Sequence, residues 1–223
     1  VTVTLVVFTD GRDHIYETLP SAVANLDGPI SRRIIYDDTG DALNRARLAD
    51  AFPTFTITHS PDGRQGFGGA IRFMWQWLAA SDTNTYVLHL EDDFLFDREV
   101  NLAAICQLLD THPSLVQVVL KRQAWSDEEI AAGGVVQRNP GAYVEHEWGD
   151  HAYLTHREFW STNPCLYRRT LCERGWPDDP YSEGKFGALI RDESVAMPFA
   201  YWGARNDPPL VTHVGDQRAG VGY

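Results

Sequence analysis

Tyr86-Val87-Leu88-His89-Leu90-Glu91-Asp92-Asp93-Phe94 sets a short apolar run directly against three consecutive carboxylates. A run of this kind, rich in Val and Leu, reads as a strand buried on both faces. Carboxylates at the mouth of a buried strand are costly unless water or a cation meets them. Two readings are open from these residues alone. One is a solvated strand-to-loop turn. The other is an oxygen-ligand site for Mg or Mn, ions that bridge phosphate oxygens and stabilise a departing diphosphate.

Working outward, residues 3–9 form another continuous β-branched run, broken by Asp10-Gly11-Arg12-Asp13. Ile15, Leu19, Ala22, Val23 and Leu26 then fall at helical spacing. Residues 33–36 read as a second strand, ended by Asp37-Asp38-Thr39-Gly40, and residues 42–52 as a helix. Residues 54–58 suit a third strand. A glycine-rich turn over 63–69 leads into a helix with Ala70, Phe73, Met74, Trp77 and Leu78 on one face. The opening stretch is the fourth strand; residues 102–109 are helical and 115–120 a fifth strand. This alternation predicts an α/β domain with a mainly parallel sheet flanked by helices. Ligands of such sheets bind outside the carboxyl ends of the strands. Asp10, Asp37-Asp38 and Glu91-Asp92-Asp93 are therefore expected along one edge.

Beyond Lys121 the alternation fades. Residues 124–160 read as loop-rich with marginal strands, 182–190 as a helix with Ser182 as its cap, and 195–202 as a last strand. The composition fits one globular domain over residues 1–223, 43% hydrophobic and 22% charged. No apolar run reaches the length of a membrane span, and no signal-peptide pattern opens the sequence. Cys106, Cys165 and Cys172 are scattered, which predicts reduced thiols of a cytoplasmic protein and argues against a structural zinc site. The formal net charge of −12, without a basic block, disfavours duplex nucleic acid as a strongly held partner. An acidic protein that handles an anionic substrate needs a cation between the two.

Residues 86–94 resemble the DxD region of a GT-A glycosyltransferase, and the preceding order of strand, helix, strand and Asp-Asp resembles the nucleotide-sugar half of that fold. The tail, from Trp202-Gly203-Ala204-Arg205 through Pro208-Pro209 to His213-Val214-Gly215-Asp216, resembles phage-encoded glycosyltransferases of actinobacterial viruses. The resemblance implies a nucleotide-sugar-binding half over 1–120 and a loop-rich acceptor half over 121–223. It implies a nucleoside-diphosphate sugar as donor, with UDP-sugars the usual case. It also implies a divalent metal, Mn or Mg, and a cytoplasmic location, that of the host cell for a phage enzyme. Asp38 matches the acid that contacts the donor base, with Thr9, Asp10 and Arg12 beside base and ribose. Asp92 would contact ribose or sugar, Asp93 the metal, and His213 would add a second metal ligand. Glu91 stands where the motif has its first acid, which puts the metal contact mainly on Asp93. For Asp38 the competing reading is a turn-forming residue before Thr39-Gly40; for His213 it is a surface histidine.

The turn at Gly66-Phe67-Gly68-Gly69 would let backbone approach a diphosphate at a helix N-terminus, or is simply a flexible helix entry. Arg72, one turn on, and Arg218, near the end, are candidates to neutralise the leaving group. Inverting transfer needs a carboxylate to take the acceptor proton. Glu183 is chosen, with Asp178 and Asp179 in reserve; the plain alternative is a first-turn acid favoured by the helix dipole. Trp125, Trp148, Trp160, Trp176 and Trp202 offer either an acceptor platform or ordinary packing. His146, His151 and His156 read as polar loop residues. The acceptor is open: a modified nucleobase in DNA, a phage protein or a small molecule. Two other classes remain. A nucleotidyltransferase would use the same carboxylates, and a nucleotide-sugar- or carbohydrate-binding module would need no catalysis.

Overall fold

The computed structural model describes residues 1–178 and 180–215. In chain order the elements are β1 (Val3–Thr9), α1 (Ile15–Asn25), β2 (Leu26–Asp27), β3 (Ile30–Asp37), α2 (Ala42–Ala51), β4 (Thr56–Thr58) and α3 (Gly66–Ser81). β5 (Tyr86–Glu91), β6 (Phe94–Phe96), β7 (Val100–Asn101), α4 (Leu102–Thr111) and β8 (Gln117–Leu120) follow. Then come α5 (Asp127–Ala132), α6 (Val135–Arg138), β9 (Val144–Trp148), β10 (His151–His156), β11 (Cys165–Arg168), α7 (Ser182–Glu193), β12 (Phe199–Trp202) and β13 (Val211–His213).

One nine-stranded sheet runs in the order β4-β3-β1-β5-β11-β8-β12-β10-β9. Its pairings leave only β11 and β10 running against the rest, so the sheet is mostly parallel. β5 lies between β1 and β11, and its residues up to Leu90 are buried, as an apolar strand covered on both faces should be. Alternation along β5 divides the core. Tyr86, Leu88 and Leu90 face the layer that holds α1 and α4, and Val87 faces the layer that holds α3 and α7. β3, β1 and β5 are parallel neighbours, with Phe8 paired to both Tyr36 and Glu91. Their carboxyl ends place Asp37-Asp38, Asp10 and Glu91-Asp92-Asp93 along one edge, as the alternation predicted.

Residues 124–160 are more regular than expected. They hold α5, α6 and a β9–β10 hairpin that extends the main sheet at its edge. Ser126 and Glu129 close a reciprocal capping box at the start of α5. Gly149 (φ 57°) and Asp150 make the two-residue hairpin turn, where glycine at the first position meets the positive φ that turn needs. His146, His151 and His156 are thus strand residues, not loop residues. His146 Nε2 lies 2.9 Å from Thr155 Oγ1, and His156 is fully buried against aromatic rings, which pushes its pKa down to about 4. Glu145 and Glu147 share the exposed face of β9, the edge strand, and guard that edge. Ser182 does not cap α7. It is the first helical residue and is buried, while Tyr181 holds the cap position and its side chain does not cap the helix.

Candidate functional site

β5 delivers its carboxylates onto the mouth of the sheet, and β1 supplies their counterparts. Thr9 Oγ1 donates to Asp92 Oδ2 at 2.6 Å, and Thr18 Oγ1, from α1, donates to the Asp92 carbonyl at 2.8 Å. Arg12, on the loop after β1, reaches all three neighbouring acids. Its Nε donates to Asp10 Oδ1 at 3.0 Å and its Nη1 donates to Asp93 Oδ2. Its Nη2 lies 2.5 Å from Asp92 Oδ1 as an ion pair without hydrogen-bond alignment. Burial alone would lower the Arg12 pKa, but the charges of Asp92, Asp93 and Asp10 raise it, so the guanidinium stays charged. Burial pushes Asp92 up to about 6 against the pull of Arg12 and Thr9. Burial also works to raise Asp93, but its His213 hydrogen bond and the Arg12 charge outweigh it and hold this carboxyl below its ordinary value.

His213 arrives from the far end of the chain. β13 pairs antiparallel with β6, directly after the acidic triplet, and sets His213 opposite Phe94. Gln123 holds the His213 backbone from both sides, its amide donating to the carbonyl at 2.8 Å and its carbonyl accepting from N–H at 2.9 Å. The imidazole stacks on Phe94 with centroids 4.6 Å apart, and Nε2 lies 3.1 Å from Asp93 Oδ2. Asp93 Oδ1 is buried and makes no hydrogen bond. Gly215 passes over this pair so closely that an added Cβ would lie 2.2 Å from Asp93 Oδ2. A buried carboxylate oxygen without a partner beside an imidazole nitrogen is donor chemistry that suits a divalent cation, while Arg12 already bonds the Asp93 oxygen that faces the ring. Among the described residues no group of three or more His, Cys, Asp or Glu forms a cage. A cation held here would complete its shell with water and substrate phosphate, as Mg and Mn commonly do.

Two clefts flank this centre and share Glu91. The first, about 630 Å³, is lined by Phe8, Tyr36 and Phe67 with Asp10, Arg12 and Arg64. Asp38 also borders it, yet both its oxygens are engaged. They accept from the backbone N–H groups of Gln65 and Gly66, each at 2.8 Å, so Asp38 caps α3. The turn role considered for Asp38 belongs instead to Asp37, which binds Thr39, Asn44 and Arg45. Gly69 and Arg72 do not line the cleft. Gly69 lets the Gln65 side chain pack against α3, and Arg72 Nη1 lies 2.6 Å from the exposed Asp178. Arg218 and Asp179 lie outside the described residues.

The second cleft, about 970 Å³, brings together Glu91, Trp125, Phe159, Trp160, Thr162 and Glu183 with His213. Glu183 sits in the first turn of α7, where its Oε1 accepts from Thr162 N–H at 2.6 Å and Thr162 Oγ1 at 3.0 Å. Burial raises its pKa despite those bonds. Glu91 is raised well above its ordinary value by burial and by the charges of Asp93 and Glu183. Phe186 and Gly187 fix α7 in place. Phe186 packs at 5.0 Å from Trp75, and Gly187 meets Trp160 so closely that an added Cβ would lie 2.8 Å from its backbone nitrogen. Of the five tryptophans singled out, Trp125 and Trp160 line this cleft, whereas Trp148, Trp176 and Trp202 do not. Arg122 also lines it but is spent on Glu129 through two bonds of 2.7 and 3.1 Å.

Sequence reasoning missed Phe8, Tyr36, His89 and Arg64 in the first cleft and Thr162 in the second. The in-register pairing of Phe8 with Tyr36 and Glu91 was the available signal, because residues level with Glu91 on neighbouring strands share its edge.

Neither a family model nor a curated protein sequence matches the chain. Its fold has solved counterparts. TarS from S. aureus (residues 1–349) matches with TM-score 0.62 at 11% identity, over 96% of this chain and 60% of that one. TarS in complex with UDP-GlcNAc matches with TM-score 0.61 at 13% identity, over 98% and 60%. The mannosyltransferase PcManGT from Pyrobaculum calidifontis, in complex with GDP-Man and Mn2+, matches with TM-score 0.61 at 18% identity, over 97% and 58%. The chain thus spans about three fifths of the length of these structures. At such identities the likeness is one of architecture: this chain has the GT-A-like arrangement, a mostly parallel sheet flanked by helices.

Proposed function

We propose that the chain is a metal-dependent glycosyltransferase that moves a sugar from a nucleoside-diphosphate sugar to an acceptor hydroxyl. The observation that carries this reading is the pair Asp93–His213, set between an aromatic-lined cleft and a cleft that holds a buried carboxylate. The matched structures with UDP-GlcNAc and with GDP-Man and Mn2+ support it. In this reading residues 1–120 bind the donor and residues 121–223 bind the acceptor.

The rings of Phe8, Tyr36 and Phe67 enclose the nucleoside, and Arg64 and Arg12 stand at the same cleft as cationic groups. Asp93 and His213 would hold Mn or Mg, which would supply charge neutralisation for the departing diphosphate. Asp92, expected at the ribose or sugar, is instead fully buried, lines neither cleft and is bound by Thr9 and Arg12, so its part is to orient Arg12. Glu183 takes the proton of the acceptor hydroxyl as that hydroxyl's oxygen bonds the anomeric carbon and the bond from this carbon to the diphosphate breaks on the opposite face, so transfer proceeds with inversion. Its raised pKa makes it a better proton acceptor once ionised. Thr162 keeps Glu183 Oε1 oriented through two bonds. The second cleft carries Glu91, Glu129 and Glu183 against a single arginine already paired. That balance favours an uncharged hydroxylated acceptor, such as an exposed modified nucleobase or a protein side chain, over a phosphate-rich backbone.

A thermal-shift screen of nucleotide sugars with Mn tests the reading, because a ligand of the native state raises its melting temperature. Stabilisation by at least one nucleotide sugar, dependent on Mn, is the expected result. The absence of any shift across UDP-, GDP-, ADP- and dTDP-sugars would remove it.

A further inference from the structure

His89 is the one polar residue in the interior of β5, and nothing in the carboxylate site uses it. It is 2% exposed, yet it lines the nucleoside cleft together with Phe8, Ala70 and Ile71. Its ring stacks on Phe8 with centroids 4.6 Å apart and 26° between the planes. Nε2 is buried and makes no hydrogen bond. The strand partners level with it are Val6 and Cys165, neither of which offers an oxygen side-chain acceptor. Burial pushes its pKa down to about 3, so the imidazole is neutral and can either donate or accept one bond. An aliphatic residue would fill the same space without stranding a nitrogen, and a buried polar atom without a partner is costly. The imidazole sits below the level where Phe8, Tyr36 and Glu91 form the rim. A flat heterocycle slotted between the rings of the cleft would bring its polar edge down to that floor.

We propose that His89 is a specificity-determining residue that hydrogen-bonds the nucleoside of the bound donor from the floor of the cleft. The assignment rests on the nucleotide-sugar reading above. It makes the affinity depend on the polar edge of the nucleoside and not on the diphosphate alone. A site that offers a buried hydrogen bond discriminates strongly against a ligand that cannot complete it.

Calorimetric titration of UDP and of GDP, each with Mn, into the wild-type chain and into His89→Phe and His89→Gln tests this. Phenylalanine keeps the ring against Phe8 and loses the nitrogens, whereas glutamine restores a donor and an acceptor. His89→Leu serves if His89→Phe does not fold, as judged by its melting transition. His89→Phe is expected to weaken the preferred nucleoside diphosphate about tenfold, the worth of one unpaired buried hydrogen bond. Inorganic pyrophosphate with Mn should bind both proteins equally, and His89→Gln should recover most of the loss. If the wild type binds a nucleoside diphosphate and a folded His89→Phe binds it as tightly, the His89 assignment is wrong while the donor reading stands. If the wild type binds neither these two nor any other nucleoside diphosphate, both fall together.

Discussion

His213 Nε2 lies 3.1 Å from Asp93 Oδ2, although 120 positions separate the two residues in the chain. A strand pairing, a glutamine clamp and a stacked ring hold that approach, and Asp93 keeps one buried oxygen without a partner. Asp93→Ala is therefore expected to abolish Mn-dependent binding of a nucleoside diphosphate. His213→Ala should weaken it about tenfold or more, by analogy with the loss of one metal-orienting group. Titration calorimetry with and without Mn reads both. Undiminished metal dependence in Asp93→Ala would show that the cation is held elsewhere.

Gly215 leaves no room for a methyl group. A Cβ there would stand 2.2 Å from Asp93 Oδ2 and 3.0 Å from His213 Nε2. Gly215→Ala should cost cation-dependent binding nearly as much as Asp93→Ala while the chain still unfolds cooperatively. Electron paramagnetic resonance of bound Mn checks it, and an unaltered Mn signal would contradict it.

Glu183 must be ionised to accept a proton, and burial raises its pKa. The transfer rate should therefore rise with pH along a limb that lies above the ordinary carboxylate range, and fall as pH drops through the raised pKa. Glu183→Gln should lower the rate by about 10²–10⁴-fold and remove that limb, with donor affinity unchanged. Full activity in Glu183→Gln would reject it as the base. Gly187→Ala offers a graded version: a Cβ crowding Trp160 would push α7 outward and slow transfer without altering nucleotide binding.

Asp38 serves α3 before it serves any ligand, since both oxygens are taken by the backbone N–H groups of Gln65 and Gly66. Asp38→Ala should destabilise the fold by about 1–2 kcal/mol, the usual worth of a lost helix cap. Urea denaturation measures this. Loss of nucleotide binding with stability intact would restore the base-contact role.

The N-terminal half was largely legible because β1, β3 and β5 carry apolar runs that end in acids. From Val3–Thr9 and Tyr86–Glu91 the shared edge follows directly. The β9–β10 hairpin was not, because an edge strand written Val-Glu-His-Glu-Trp has only Val144 and Trp148 as apolar residues and no buried run. Of the site, the resemblance names Asp93 and His213 as metal ligands, and the fold brings these two residues into contact. The difference between Asp37 and Asp38 was beyond sequence reasoning. Both are buried carboxylates at one strand end, and only the path of residues 63–66 decides which of them meets α3. Arg72 was misleading for a similar reason, since its direction depends on Asp178 more than a hundred positions away.

Product analysis on the nucleotide sugar that stabilises the chain tests the central claim most directly. With Mn and no acceptor, the account predicts slow formation of nucleoside diphosphate and free sugar, lost in Asp93→Ala. Tight binding with no turnover would mark a binding module, and release of nucleoside monophosphate with sugar 1-phosphate would mark a nucleotidyltransferase. Either result would contradict the account.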